Sequence, residues 1–282
     1  MTELRTVALA GLGLMGGSLA RDLTAAGVRV LGMDEDAGTV AAARAAGAIA
    51  DRFAPNGDGI GDVDAVVLAV PVQSAIELLR DLAPKLAGVA LITDVGGTKA
   101  SIVAAAEAAN LGARFVGSHP MAGDHRAGWA ASRNHLYRNA PVYLCPAAGA
   151  SPETIAHAVD LWAAVGATTQ VMDPAEHDRR MGWISHLPQA AATALARVLA
   201  GAGFKPRDLG PGGRDTTRLA ASSPDLWTEI ALDNTPAMLQ ALGALEMDIA
   251  ELRRALGQGD AEHVRAIFEA GRAWAEGEGA SA

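Results

Sequence analysis

The segment TVALAGLGLMGGSLA, residues 6–20, constrains the fold more than any other part of the chain. An apolar run ends in glycines, and the glycines open a second run with helical character. The spacing is G-x-G-x-x-G at Gly11, Gly13 and Gly16. In a strand–turn–helix setting each glycine has its own reason. Gly11 permits the tight turn, Gly13 lets the backbone approach a pyrophosphate, and Gly16 lets the helix pack closely on the strand. Leu12, Leu14 and Met15 belong to the same predicted cofactor-binding loop. Asp34 ends the next strand-like run, VRVLGMD, roughly 20 residues further on. A carboxylate there accepts hydrogen bonds from the ribose hydroxyls of NAD and repels the 2′-phosphate of NADP. Glu35 and Asp36 follow, with no arginine, so NAD is the expected cofactor. Asp34 is also a candidate helix N-cap.

The first part of the chain keeps alternating. Strand-like DAVVLAV, VALITDV, ARFVGSH and PVYLC are interleaved with helical patterns over residues 37–46, 73–82 and 99–108. Apolar strands alternating with helices predict a parallel sheet covered on both faces. The pattern changes near Val171. Helices are expected over residues 175–200, 225–233, 235–256 and 260–274, with glycine-rich breaks at GAGF and GPGGRD. The expected fold is therefore an α/β Rossmann domain, residues 1–172, followed by an all-α domain, residues 173–282. Several helices of the second part are apolar over much of their circumference, which suits burial against other helices and a homodimer built through them.

Composition excludes some functions. The chain has 282 residues with 32 acidic and 23 basic side chains, a net charge of −9. A nucleic-acid partner would need a basic face, whereas a local arginine pocket can still hold a small anion. No membrane-length apolar run and no signal peptide is recognisable. The single cysteine, Cys145, fits a reducing cytoplasm and reads as a strand residue.

Ligands of open parallel sheets bind outside the carboxyl ends of the strands. Those ends are AVP, with Val70 and Pro71; TDVGGTK, with Asp94; and GSHP, with His119. Val70, Pro71 and Asp94 are expected beside the cofactor, and topology brings His119 to the same crevice. A neutral imidazole beside a nicotinamide suits acceptance of a hydroxyl proton.

Three later stretches carry a family resemblance: GSHPMAG, HDRRMGWISHLPQ and GGRDTTRLAASSPDLWTEIALDN. In this order behind the glycine loop, over residues 5–275, the chain resembles the prephenate and arogenate dehydrogenase (TyrA) family. The resemblance implies hydride transfer from C4 of a cyclohexadiene to NAD, with loss of CO2 and aromatisation. It implies His119 as the catalytic base and Arg218 as the clamp on a substrate carboxylate. Asp215, Trp227 and His186 match positions near the same pocket. His177 and Asp178 read more simply as the opening of a helix. Arg214, four residues before Arg218, shares its face if the segment is helical.

This sequence also departs from the family. A serine usual in D-x-x-S-x-K is replaced by Gly97, leaving water or the neighbouring Thr98 to supply its hydrogen bond, or a different C4 substituent such as an amine. Gln189 stands where many members have histidine, and Asp124 adds a carboxylate beside GSHPMAG. Both are expected near the substrate and lean toward arogenate, whose ammonium would favour a nearby carboxylate. Two other readings remain: a β-hydroxyacid dehydrogenase, which would need a lysine such as Lys205 at its site, and an NAD-binding regulator without chemistry.

Overall fold

The computed structural model describes residues 4–123 and 126–277. The chain divides into two compact units, Met1–Asn234 and Thr235–Ala282.

In the first unit β1 (Thr6–Ala10), β2 (Arg29–Met33), β3 (Asp51–Arg52), β4 (Ala65–Leu68) and β5 (Leu91–Asp94) form a parallel sheet in the order β3-β2-β1-β4-β5. Helices α1 (Leu14–Ala25), α2 (Ala37–Ala45), α3 (Val72–Leu86) and α4 (Ala100–Ala108) cover it. Side chains alternate between the faces. Val7, Leu9, Ala65 and Val67 pack in one cluster with Leu19 and Leu23, while Ala8, Ala10, Val66 and Leu68 pack in another with Leu79 and Leu82. This is why the strands read as continuous apolar runs: both faces are buried. The strand order reverses at β1, so the crevice opens between the carboxyl ends of β1 and β4.

The run ARFVGSH does not simply extend that sheet. It bridges β5 once, at Phe115 opposite Ile92, and then forms β6 (Val116–Pro120), which pairs antiparallel with β7 (Pro141–Pro146). After helix α5 (Pro152–Ala164), β8 (Thr168–Val171) joins β7 in parallel. Neither α5 nor β8 is among the elements expected from the sequence. The start of α5 carries its signal, because the Ser151 hydroxyl accepts from Thr154 N–H and Pro152 occupies the first turn. Strand β8 is largely exposed and has no apolar alternation to reveal it.

The segment between β6 and β7 is tied to α1 and so overhangs the glycine loop. The Tyr137 hydroxyl donates to Met15 O at 2.7 Å, His135 N–H to Asp22 at 2.8 Å and Arg133 N–H to Ser18 Oγ at 3.0 Å. The Arg21 guanidinium lies 4.2 Å from the centre of the Trp129 ring. Burial pushes the Cys145 thiol up to about 12, which leaves it an inert core residue of β7.

The rest of this unit is helical: α6 (Pro174–Met181), a π turn at Gly182–His186, α7 (Leu187–Gly201), α8 (Pro211–Thr217), a 3-10 turn at Arg218–Ala221 and α9 (Pro224–Asp233). The helix expected over residues 175–200 is thus interrupted. Pro188 has no N–H to return to Ile184, and the π turn resets the ladder just before it. GPGGRD, expected as a break, instead starts α8, with Pro211 where a missing N–H costs nothing.

The second unit comprises α10 (Thr235–Gln258) and α11 (Ala261–Ala275), the latter capped by the Asp260 carboxylate on His263 N–H. Both helices expose large apolar side chains, including Leu239, Met247, Phe268 and Trp274. No helix among the described residues is long and apolar enough to cross a membrane.

Candidate active site

A cleft of about 640 Å³ opens at the carboxyl ends of β1 and β4, a size suited to small ligands. Gly13, Leu14 and Met15 line it from the glycine loop, Val70 and Pro71 from the end of β4, and His119 from β6. Gln189, Arg218 and Trp227 close it from the helical segment.

The glycine loop fits a dinucleotide. Gly11 has φ +88°, and a Cβ there would run into the Ala69 carbonyl. A Cβ on Gly16 would strike Gly11 O, so helix and strand can meet only through glycine. Gly13 has no atom nearer than 4.0 Å to such a Cβ, which leaves open backbone for a pyrophosphate. Leu12 donates its N–H to Asp34 Oδ2 at 2.7 Å, and Asp36 N–H reaches Asp34 Oδ1 at 3.0 Å. Asp34 therefore shapes the loop while each oxygen keeps acceptor capacity for ribose hydroxyls. The cap of α2 is Asp36, whose carboxylate accepts from Gly38 and Thr39 N–H. The Thr39 hydroxyl, then those two N–H groups, lower the Asp36 pKa. Asp94 lies inside the fold, 1% exposed, paired with Lys99 and accepting from Gly96 and Ser118 N–H. Its carboxylate orders the strand ends and is not on the cleft wall.

His119 is half-buried on the wall, and its ring continues into a buried chain. His119 Nδ1 lies 2.9 Å from His177 Nε2, and His177 Nδ1 lies 2.8 Å from Asp178 Oδ1. Asp178 also accepts from Lys99 N–H and Ala100 N–H, both at 2.8 Å. It therefore caps α4 from α6, while α6 itself is capped by Asp173. A carboxylate only accepts, so His177 Nδ1 carries the proton. With a single proton on His177, its Nε2 is the acceptor, His119 donates from Nδ1, and the free nitrogen of His119 is Nε2. Burial first, then the unfavourable electrostatics of a proton on His119 beside His177, Lys99 and His186, hold the His119 pKa well below the usual imidazole range. The ring is neutral and able to accept a proton.

His186, delivered by the π turn, is 1% exposed yet reaches the cleft. Asn234 Nδ2 donates to Asp178 O at 2.7 Å, a carbonyl that can only accept, and lies 3.1 Å from His186 Nδ1. His186 Nδ1 is thus an acceptor, its proton sits on Nε2, and the ring meets Trp227 edge-on at 5.9 Å. Burial lowers its pKa to about 4, against 6.5 for a free imidazole, with His177 also lowering it and Asp178 opposing. The folded state keeps it neutral while the unfolded chain takes a proton below pH 6.5. Its contribution therefore falls as pH drops from 6.5 to about 4, a loss of roughly 3 kcal/mol. Denaturant unfolding at stepped pH should show this slope, and His186→Asn should flatten it; an equally steep slope in the variant assigns it elsewhere.

Arg218 and Gln189 are joined. Gln189 is 6% exposed and donates through Nε2 to Leu219 O at 2.9 Å, fastening the turn that carries Arg218. Trp227 lines the same wall. Asp215 and Arg214 are exposed and not among the lining residues, and Arg214 Nη1 donates to Leu209 O at 2.6 Å. Helix α8 stops at Thr217, so the two arginines do not share a continuous helical face. Asp124 lies outside the described residues. Gly97 is on the wall, where a Cβ would come 3.3 Å from Ile230 Cδ1. Thr98 is fully buried, off the wall, and its hydroxyl finds no partner among the described residues. It therefore does not supply the hydrogen bond lost at Gly97. Lys205 is exposed and does not line the cleft, which removes the support for a β-hydroxyacid dehydrogenase. Sequence reasoning missed Arg126 and Glu229, both lining the cleft, and the connection of His177 to His119. Only the HD pair at the head of HDRRMGWISHLPQ hinted at that connection.

Comparisons with known proteins agree with this geometry. Residues 19–171 match the family described as prephenate dehydrogenase, nucleotide-binding domain, and residues 173–270 match prephenate dehydrogenase, dimerization domain. A prephenate dehydrogenase of Bacillus subtilis is 34% identical, over 96% of this chain and 76% of that protein. A structure of prephenate dehydrogenase from A. aeolicus with hydroxyphenyl propionate and NAD+ superposes with a TM-score of 0.87 at 30% identity, over 97% of this chain and 98% of that one. Synechocystis arogenate dehydrogenase gives a TM-score of 0.79 at 27% identity, over 94% and 96% of the two chains. With a glycine loop, a histidine and an arginine around one cleft, and with matches to both halves, this chain belongs to the prephenate dehydrogenase family.

Proposed function

We propose that the chain is an NAD-dependent prephenate dehydrogenase that converts prephenate to 4-hydroxyphenylpyruvate and CO2. The observation that carries this reading is His119, held through Nδ1 against His177, in a cleft shared with the glycine loop and Arg218. When bound, NAD supplies the hydride acceptor, its pyrophosphate on the Gly11–Gly16 turn and its ribose at Asp34. Arg218 holds a substrate carboxylate with a planar fork that keeps its charge at any working pH. His119 Nε2 accepts the C4 hydroxyl proton as the C4–H bonding pair departs. Loss of CO2 from C1 leaves its bonding pair in the ring, which aromatises, and His119 returns the proton to the phenolic oxygen. His186 offers an N–H from the wall, and Trp227 shapes the apolar side. Gln189 acts through the Leu219 carbonyl by keeping the Arg218 turn in place.

One observation favours arogenate as a second substrate. Glu229 places a carboxylate on the cleft wall, its Oε1 accepting from Gln73 N–H at 2.6 Å. The arogenate ammonium would find a partner there. NADH formation by purified protein with prephenate, and separately with arogenate, tests both. Activity with arogenate alone reverses the order of the two readings, and silence with both rejects them.

Asp34→Asn should weaken NAD binding and narrow its preference over NADP, because the charge that repels a 2′-phosphate is gone. The ratio of kcat/KM values for the two cofactors measures this, and an unchanged ratio would confine Asp34 to shaping the loop. We further assign a homodimer. Its support is the exposed apolar surface of α10 and α11 and the match of this region to a dimerization domain. Light scattering at micromolar concentration tests the dimer.

A further inference from the structure

We infer that His177 and Asp178 are positioning residues that set the tautomer of His119 and share the proton it takes from substrate. The inference rests on His119 being the base, and it goes beyond that assignment. Three elements converge on one line of hydrogen bonds: β6 carries His119, α6 carries His177 and Asp178, and the start of α4 pins Asp178 through two N–H groups. His177 is fully buried, and Asp178 is 7% exposed. A buried line of this kind costs folding energy unless every member is satisfied, and here each donor meets an acceptor. The pinned carboxylate holds a proton on His177 Nδ1, and with His177 singly protonated the line ends in a bare Nε2 on His119.

The same line can relocate charge. When the substrate O4–H bond breaks, the Nε2–H bond of His119 forms. The Nδ1 proton of His119 then shifts toward His177 Nε2, so the cation is shared with an imidazole already bonded to a carboxylate. On aromatisation both shifts reverse and the phenolic oxygen regains its proton, with no outside donor. The ionisable groups facing His177 are His119 from β6, Tyr143 from β7 with ring centres 5.8 Å apart, and Asp178 beside it. Lys99 adds positive charge near His119, and its ammonium is paired with Asp94. Asp178 is the carboxylate in direct contact with the line.

The test is a pH profile of kcat/KM, with separate kcat and KM values, for wild type, Asp178→Asn, His177→Gln and His177→Leu. Asp178→Asn should lower kcat by about 100-fold, with substrate KM and NAD affinity within about threefold. Its acidic limb should move to lower pH, because the carboxylate that favours the protonated pair is lost. A glutamine oxygen can still accept the His119 proton, so His177→Gln should be about tenfold or more faster than His177→Leu. Nitrogen-15 NMR of histidine-labelled protein should show His119 protonated at Nδ1 in wild type and a mixed tautomer in His177→Leu. Variants that bind NAD but keep the wild-type kcat and acidic limb would overturn the inference. So would a wild-type His119 protonated at Nε2. Should Asp178→Asn not fold, the two His177 variants and the NMR decide. Loss of the base assignment itself is distinguishable, since it would appear as an active His119→Asn enzyme.

Discussion

His119→Asn is expected to lower kcat by about 1,000-fold, with NAD affinity within about twofold of wild type. An asparagine amide can still face His177, so the buried side of the site keeps a polar partner. It has no basic nitrogen at the Nε2 position, and O4 keeps its proton as hydride departs. The glycine loop, Asp34 and the end of β4 do not contact the substituted ring's proton-accepting edge, so cofactor binding is spared. Stopped-flow NADH formation with a parallel NAD titration separates the two. Appreciable turnover in this variant would mean another group, with His186 nearest in kind, takes the proton. In wild type the acidic limb of kcat/KM should lie below pH 6.5, because burial first and the neighbouring positive charges second lower the His119 pKa. The base form is needed, so activity is lost as pH falls through that lowered value and is retained above it.

Arg218→Ala is expected to reduce kcat/KM for the dicarboxylate by about 30- to 1,000-fold, roughly 2–4 kcal/mol, mainly through KM. The arginine stands on a short 3-10 turn fastened to α7 by the Gln189–Leu219 hydrogen bond. The fork is thus presented from a fixed backbone, and less entropy is lost on meeting a carboxylate. NAD affinity should not change. Initial rates over a wide range of substrate concentration check the KM, and fluorescence titration checks NAD. An unchanged KM would move the carboxylate site to Arg126, the other arginine on the cleft wall.

Much of the nucleotide half was legible in the sequence. A strand buried on both faces must be apolar at every position, and a dinucleotide loop tolerates only glycine where helix, strand and pyrophosphate approach closely. Those demands act between residues a few positions apart, so they leave a local trace: TVALA, then Gly11, Gly13 and Gly16, then Asp34. The same logic brought His119 to the crevice, because the ends of parallel strands share one edge. Strand β8 left no such trace, since its side chains are mostly exposed and its pairing with β7 is through the backbone.

The sequence by itself determined the fold class and the cofactor loop, and it singled out His119 and Arg218, which the structure brings to one cleft. Tertiary structure alone decided who acts with whom. His119 and His177 are 58 residues apart, and Asp178 reaches α4 across 79 residues. It also separated Arg218, on the cleft, from Arg214, turned to its own backbone, and moved Asp94 from the cofactor to an internal ion pair. Periodicity records only which face of an element is buried. Which polar partner waits on that face depends on how distant segments pack, and there each buried donor must find its acceptor.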